Sequence, residues 1–208
     1  MFTIYGRPNS SNVRKVLWLC AEIGQTDYQR HDYGRGFESC DTPEYAKLNP
    51  NKLVPTFVEG DLVIWESNAI LRYLTAKYGN ETLYPTDLAE RAVVDQWMEW
   101  QTTTSNIGIR DLFFGLIVKD PSATGDDFLA KARTQATQAM TLLDAQLADT
   151  GAFVAGDNLT IADCALGIFV HRWFSLPIER ADLPALAAYY DRLKARQAFE
   201  ETVIAGGP

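Results

Sequence analysis

Nowhere is the chain apolar for anything close to the roughly 20 residues a helix needs to cross a bilayer. Its start, Met1-Phe2-Thr3-Ile4-Tyr5, lacks a basic segment leading into a long apolar one. A membrane-spanning or exported protein is therefore not expected, and a soluble cytoplasmic one is. Thiols are few: Cys20, Cys40 and Cys164 are odd in number and none are paired as CxxC, which argues against a disulfide framework and against a zinc site. With His31 and His171 the only histidines, no metal is expected. Positive charge is also short, 19 Lys and Arg against 27 Asp and Glu for a net charge of -8. Such a surface repels phosphate backbones, and no basic run offsets it, so no nucleic-acid partner is expected. There is no internal repeat and no low-complexity tract. What is left, 208 residues with 47% hydrophobic and 22% charged content, suits one large globular domain or two small ones.

The most informative stretch runs from Asn49 to Leu71. Thr56-Phe57-Val58 and Leu62-Val63-Ile64-Trp65 are β-rich runs separated by Glu59-Gly60-Asp61, the pattern of a hairpin. Pro55 cannot donate to a ladder and belongs at the start of its strand. Directly after the hairpin, Glu66-Ser67-Asn68 precedes Ala69-Ile70-Leu71, placing small polar residues where a helix begins. The hairpin thus delivers a helix N-terminus, with its unpaired N–H groups and partial positive charge, to the end of a sheet; that combination suits a carboxylate ligand.

Upstream, Phe2-Thr3-Ile4-Tyr5 reads as a strand ending at Gly6, followed by a polar loop, Arg7 to Asn12. Val13, Val16, Leu17, Cys20 and Ile23 then fall at helical spacing up to Gly24. Tyr28 to Tyr33 reads as a second, more exposed strand that completes a βαβ unit. Residues 34 to 48, with Gly34, Gly36 and Pro43, read as a loop with one helical turn at most. After Ser67, a helix carries Ile70, Leu71, Leu74 and Tyr78 and stops at Gly79. The polar segment from Asn80 to Asp87 reads as a domain boundary, and everything beyond it as helical. Val93, Trp97, Trp100 and Thr104 share one face of a long helix, with Val94 and Met98 beside it and Gly108 and Gly115 as candidate bends. Leu129 to Leu147 makes a second amphipathic helix. Thr160 followed by Asp163 approximates a capping box in front of a helix that is apolar nearly all round and so is expected to be buried. Leu183 to Arg196 and Ala198 to Val203 supply two closing helices.

The hairpin-to-helix stretch, with Val54-Pro55 before its first strand and Glu66-Ser67 after its second, resembles the cytosolic glutathione transferases, bacterial and with a serine in the first loop. The capping signature ahead of the buried helix is similar to one in their second domain, so the resemblance spans both halves of the chain. It implies a thioredoxin-like α/β domain with a mixed four-stranded sheet over residues 1 to 79. An all-α domain over 87 to 208 would follow, contributing the pocket for an electrophile. It implies a cis peptide at Val54-Pro55, with the Val54 backbone binding the cysteinyl part of glutathione. Glu66 and Ser67 would take the γ-glutamyl carboxylate, and Lys52 the glycine carboxylate. Each has a plainer alternative: Lys52 as a solvated lysine, Glu66 as a surface charge and Ser67 as a helix cap.

The resemblance also places the group that hydrogen-bonds the glutathione sulfur in the first loop, about four residues before Arg14. That points to Ser10, with Asn12 and Ser11 as further candidates; any of the three can instead cap the helix. The chemistry requires an ionised thiol, since the thiolate is the nucleophile and a free cysteine thiol has a pKa of about 8.5. Lowering that to about 6.5 takes about 2.7 kcal/mol at ~1.36 kcal/mol per unit. One neutral hydroxyl bond nets about 1 kcal/mol, more to a charged acceptor, so the helix N-terminus, worth up to ~2 kcal/mol, is expected to help. Arg7 and Arg14 are possible helpers, with surface ion pairs as their alternative.

Phe113 and Trp173 are candidates for an apolar electrophile pocket, the alternative for both being core. His171 and Asp163 read as core and cap groups. The function implied is conjugation of the glutathione thiolate to a small, apolar electrophile, in a cytoplasmic, detoxifying homodimer that contacts its partner around Trp97 to Gln101 and along the helix after Ser67. Alternatives are glutathione-dependent reduction, including that of peroxides, or dehalogenation at the same site, and glutathione binding without turnover, as in a stress protein.

Overall fold

The structure is a computed structural model that describes all 208 residues. The chain divides into two units, Met1–Asn80 and Glu81–Pro208. In the first, β1 (Phe2–Tyr5), α1 (Ser11–Glu22) and β2 (Tyr28–His31) form the expected βαβ unit, with β1 and β2 parallel. β3 (Thr56–Glu59) runs antiparallel to β1 and β4 (Leu62–Trp65) antiparallel to β3, for a sheet order of β2-β1-β3-β4. This is the mixed four-stranded sheet of the thioredoxin-like expectation. In β1, Phe2 and Ile4 are buried while Thr3 and Tyr5 are half-exposed, the period of two that a pleated strand imposes. α3 (Ser67–Tyr78) packs beside α1 and buries Ile70, Leu71 and Leu74. Each large apolar side chain so buried contributes roughly 1.5–3 kcal/mol. The hairpin is tied to the far end of α3 through Glu59, which accepts from Tyr73 Oη at 2.6 Å, Lys77 Nζ at 2.7 Å and Tyr78 Oη. Those bonds, Lys77's first, hold the Glu59 carboxyl down at about 2.

The helical turn allowed within residues 34 to 48 is α2 (Pro43–Leu48), six residues long. Pro43 sits in its first turn, where its missing N–H costs nothing, and Thr42 Oγ1 accepts from Tyr45 N–H at 3.1 Å. Ser67 is the first residue of α3 rather than its cap; Glu66 occupies the cap position.

The second unit is helical. α4 (Leu88–Trp100) starts at Asp87, whose carboxylate accepts from the N–H groups of Ala89 and Glu90. The helix then widens into a π turn over Gln101–Ser105 before α5 (Asn106–Phe113), and into a second over Phe114–Val118. In the first widened turn Thr102 and Thr103 both donate to Glu99 O, at 2.8 and 2.9 Å, taking up a carbonyl that the helix would otherwise use. The buried line therefore runs Val94, Trp97, Met98, Gln101, Ser105, while Val93 and Thr104 of the anticipated face are exposed and Trp100 is half-buried. Gly108 lies within α5. It lets α5 approach α6 (Asp126–Thr150), where an added Cβ would lie 2.5 Å from Ala136 N and 2.6 Å from Ala132 O. α7 (Ile161–Ser175) is buried from Ile161 through Trp173, as its apolar sequence predicts. α8 (Pro184–Lys194) and α9 (Gln197–Thr202) close the unit.

Candidate functional site

The first unit brings its candidate residues to the ends of β1 and β4 and the starts of α1 and α3. β1 leaves the sheet at Gly6, where φ is 154° and an added Cβ would fall 2.5 Å from Val13 Cγ2 and 3.2 Å from Val54 Cβ. Only glycine lets the β1–α1 loop pass this close to Val54. Ser10 is the cap residue of α1: its carbonyl accepts from Arg14 N–H at 2.9 Å and its own N–H donates to Arg7 O at 3.2 Å. The Ser10 hydroxyl makes no capping bond, and the residue is 8% exposed. Ser11 lies half-buried in the first turn and Asn12 is exposed.

Basic groups gather under this loop. Arg14 is fully buried, and desolvation, then the neighbouring Arg7, brings its guanidinium down to about 10. A surface ion pair is thus not its setting. Arg7 donates to Asn9 Oδ1 at 2.8 Å, and burial followed by Arg35 lowers its pKa too. The chain's net negative charge hides this cluster, because its members are spread from position 7 to position 35.

Val54-Pro55 is cis, as the resemblance implied, and Val54 is half-buried. The segment ahead of it is anchored by side chains that the sequence did not single out. Tyr45 Oη and Asn49 Nδ2 both donate to Leu53 O at 2.8 Å, and both meet Thr56 Oγ1, at 3.0 and 3.2 Å. Tyr45 and Asn49 are buried, which favours short, fully made bonds over exchange with water. Lys52, at φ 55°, is exposed and ion-paired with Asp41; its hydrogen bond is the main reason the Asp41 carboxyl lies below its ordinary value.

Glu66 has φ 72° and ψ 114°, a conformation that costs a non-glycine residue about 1–3 kcal/mol, and its side chain makes no capping bond. Strain of this order concentrates where a backbone must be held for function. Ser67 and Asn68 follow, 5% and 6% exposed. Beneath them lies a residue the sequence reading passed over, Lys15 of α1, which is 1% exposed and donates to Ser67 Oγ at 3.4 Å and Asn68 Oδ1 at 3.3 Å. Desolvation brings its ammonium down to about 7, with Glu66 pulling the other way. Only helical phase could have flagged Lys15, a polar residue within the buried run Val13 to Cys20.

In the second unit, Trp173 is fully buried and offers no surface to a ligand, whereas Phe113 is half-buried with the Arg172 guanidinium 3.8 Å from its ring centre. A cavity of about 470 Å³ among Glu81, Glu90, Val93 and Asp157 contains none of the candidates. His171 Nδ1 lies 2.8 Å from Tyr190 Oη, and Asp163 is spent on internal bonds, in keeping with structural roles.

The first unit thus carries a cis-proline turn ahead of β3, a polar start to α3 and, at the start of α1, a serine hydroxyl that does not cap its helix. The family profile "Glutathione S-transferase, N-terminal domain" matches residues 1–76 and "Glutathione S-transferase, C-terminal domain" matches residues 126–192. Glutathione S-transferase GstB of Escherichia coli K12 is 34% identical over 206 residues, 98% of each chain. Among solved structures, a theta class glutathione S-transferase from Xanthomonas axonopodis pv. citri with glutathione bound is 44% identical, with a TM-score of 0.91, coverage of 98% of this chain and 97% of that one. A delta-class glutathione transferase from Nilaparvata lugens is 27% identical with a TM-score of 0.88, covering 99% and 94%. The chain belongs to the glutathione S-transferase family.

Proposed function

We propose that this chain binds glutathione on its first unit and transfers the thiolate to a small, apolar electrophile. The observation that carries the reading is the Ser10 hydroxyl, which stands at the start of α1 without being used to cap it. A hydroxyl bond to a charged acceptor is worth about 1.5–3 kcal/mol. Together with the α1 N-terminus, at up to ~2 kcal/mol, it covers the roughly 2.7 kcal/mol needed to bring a thiol from about 8.5 to about 6.5. The buried Arg14 cation adds to the same field. On this reading Val54 lends its backbone to the cysteinyl residue, Glu66 and Ser67 receive the γ-glutamyl carboxylate, and Lys52 exchanges Asp41 for the glycine carboxylate. The Xanthomonas relative with glutathione bound supports this assignment of ligand.

The second unit supplies the electrophile pocket, with Phe113 as its candidate lining residue. A mixed-disulfide mechanism is disfavoured because the loop holds Ser10, and Cys20 is buried in α1 with its thiol pushed up to about 12. A cytoplasmic homodimer accompanies the reading. It is supported by an apolar groove between α4 and α6 of about 390 Å³, bordered by Trp97, Trp100 and Leu142. Calorimetric titration with glutathione, then turnover assays with aryl halides, epoxides and hydroperoxides, test the proposal. Micromolar binding with conjugation of an aryl halide or epoxide is expected; no binding, or turnover of hydroperoxides alone, contradicts it.

A further inference from the structure

Lys15 and Ser67 lie 52 positions apart in sequence and meet where α1 passes under the first turn of α3. An ammonium has donors only, so in its contact with Lys15 the Ser67 oxygen accepts. The single hydroxyl proton of Ser67 is then left to be donated elsewhere. The same cation bonds Asn68 Oδ1, which turns the side-chain oxygen inward and the amide hydrogens away from Lys15. In its protonated form this one buried side chain sets the donor direction of two consecutive residues at a helix N-terminus, and adds a positive charge to the partial charge of the helix.

We infer that Lys15 is a positioning residue of the γ-glutamyl site: it aims the Ser67 hydroxyl outward and makes the site selective for a ligand that keeps its glutamyl α-carboxylate. The inference rests on the glutathione reading above and adds a specificity determinant to it. The charged group acting on Lys15 is Glu66, at the start of α3, while Ser67 and Asn68 are neutral. A carboxylate held at Ser67 places a second negative charge beside the ammonium and favours its protonated form. Because burial brings Lys15 to about 7, ligand binding slightly above that pH is then coupled to proton uptake.

The experiment compares two probes, S-methylglutathione, whose blocked thiol removes sulfur titration, and the same compound with the glutamyl α-carboxylate converted to a primary amide. Both are titrated calorimetrically into wild type, Lys15→Met and Lys15→Arg at pH 7.5, in two buffers of different ionisation heat. Wild type is expected to prefer the carboxylate at least about tenfold and to take up protons on binding it. Lys15→Met loses most of that preference and the uptake, with the amide bound within about twofold of wild type, and Lys15→Arg retains part of the preference. A purely structural link between helices would weaken both probes by one factor; that result, or an unchanged preference in Lys15→Met, overturns the inference while leaving glutathione binding intact. If neither probe binds wild type, both the inference and the reading beneath it fail. If Lys15→Met does not fold, Lys15→Arg decides: a preference for the carboxylate that falls below wild type while the amide binds within about twofold supports the role, and an unchanged preference overturns it.

Discussion

Two helix starts in this chain use the same kinds of residue in opposite ways. At α7, Thr160 has a relaxed extended backbone, and Asp163 is fully buried and spends its carboxylate on the chain itself: it accepts from Thr160 N–H at 2.8 Å, Val154 N–H at 3.0 Å, Thr160 Oγ1 at 3.1 Å and Tyr189 Oη at 3.0 Å. At α3, Glu66 sits at a strained positive φ with its carboxylate unused by the helix, and Ser67 is turned by Lys15 rather than by its own backbone. A helix start that only holds the fold saturates its donors internally; the one proposed here to hold a ligand leaves side-chain groups unspent and sits on a strained backbone. The Ser10 hydroxyl at the start of α1 belongs with α3 in this respect.

The contrast is broken most severely at Asp163. Asp163→Ala strands buried donors that cost about 1–3 kcal/mol each, so urea unfolding should show a loss of at least about 3 kcal/mol, with glutathione affinity unchanged in the protein that remains folded. Ser67→Ala should reverse that pattern: binding weakens by about 1.5–3 kcal/mol, read as a shift in Kd, while the unfolding midpoint hardly moves. An unchanged Kd would place Ser67 with the structural helix starts.

Glu66→Gly should stabilise by about 1 kcal/mol, since relief of roughly 1–3 kcal/mol of backbone strain exceeds the extra ~0.5–1 kcal/mol that glycine loses on folding. Thermal unfolding would show it, and a destabilised variant would mean the conformation is not strained. A further contrast concerns pH. Lys15 titrates near 7 in the folded chain against an ordinary 10.5. Between those values the unfolded chain binds more protons, so the burial cost is full below about 7 and disappears as pH rises toward 10.5. Wild-type stability should therefore rise relative to that of Lys15→Met across this window, and parallel pH profiles would show that Lys15 is not desolvated.

What was legible in the sequence was local. The hairpin, the proline turn, the apolar α7 and its Thr160–Asp163 cap are each written within a few adjacent residues, and the structure has them all. What was not legible depends on partners far along the chain, or on which of two adjacent apolar stripes faces inward. Lys15 acquires meaning only when α1 crosses α3, and Tyr45 and Asn49 only when α2 returns to Leu53. The start of α2 at Pro43 was not legible because a proline in a helix's first turn has the same sequence signature as one in a loop. Val93, on the shared face, is exposed and Val94 beside it is buried; the two side chains are identical, and helical phase alone cannot choose between them.

The central claim is that a hydroxyl left unspent at a helix start serves the thiolate, and the pH dependence of kcat for Ser10→Ala tests it most directly. Losing about 1.4 kcal/mol or more of thiolate stabilisation should lower kcat at neutral pH by roughly tenfold or more and move the pH–rate profile upward by about one unit, with glutathione Kd little changed. Asn12→Ala, altered at an exposed position, should do less. Wild-type kcat and an unshifted profile in Ser10→Ala, with the loss appearing in Asn12→Ala instead, would contradict the account.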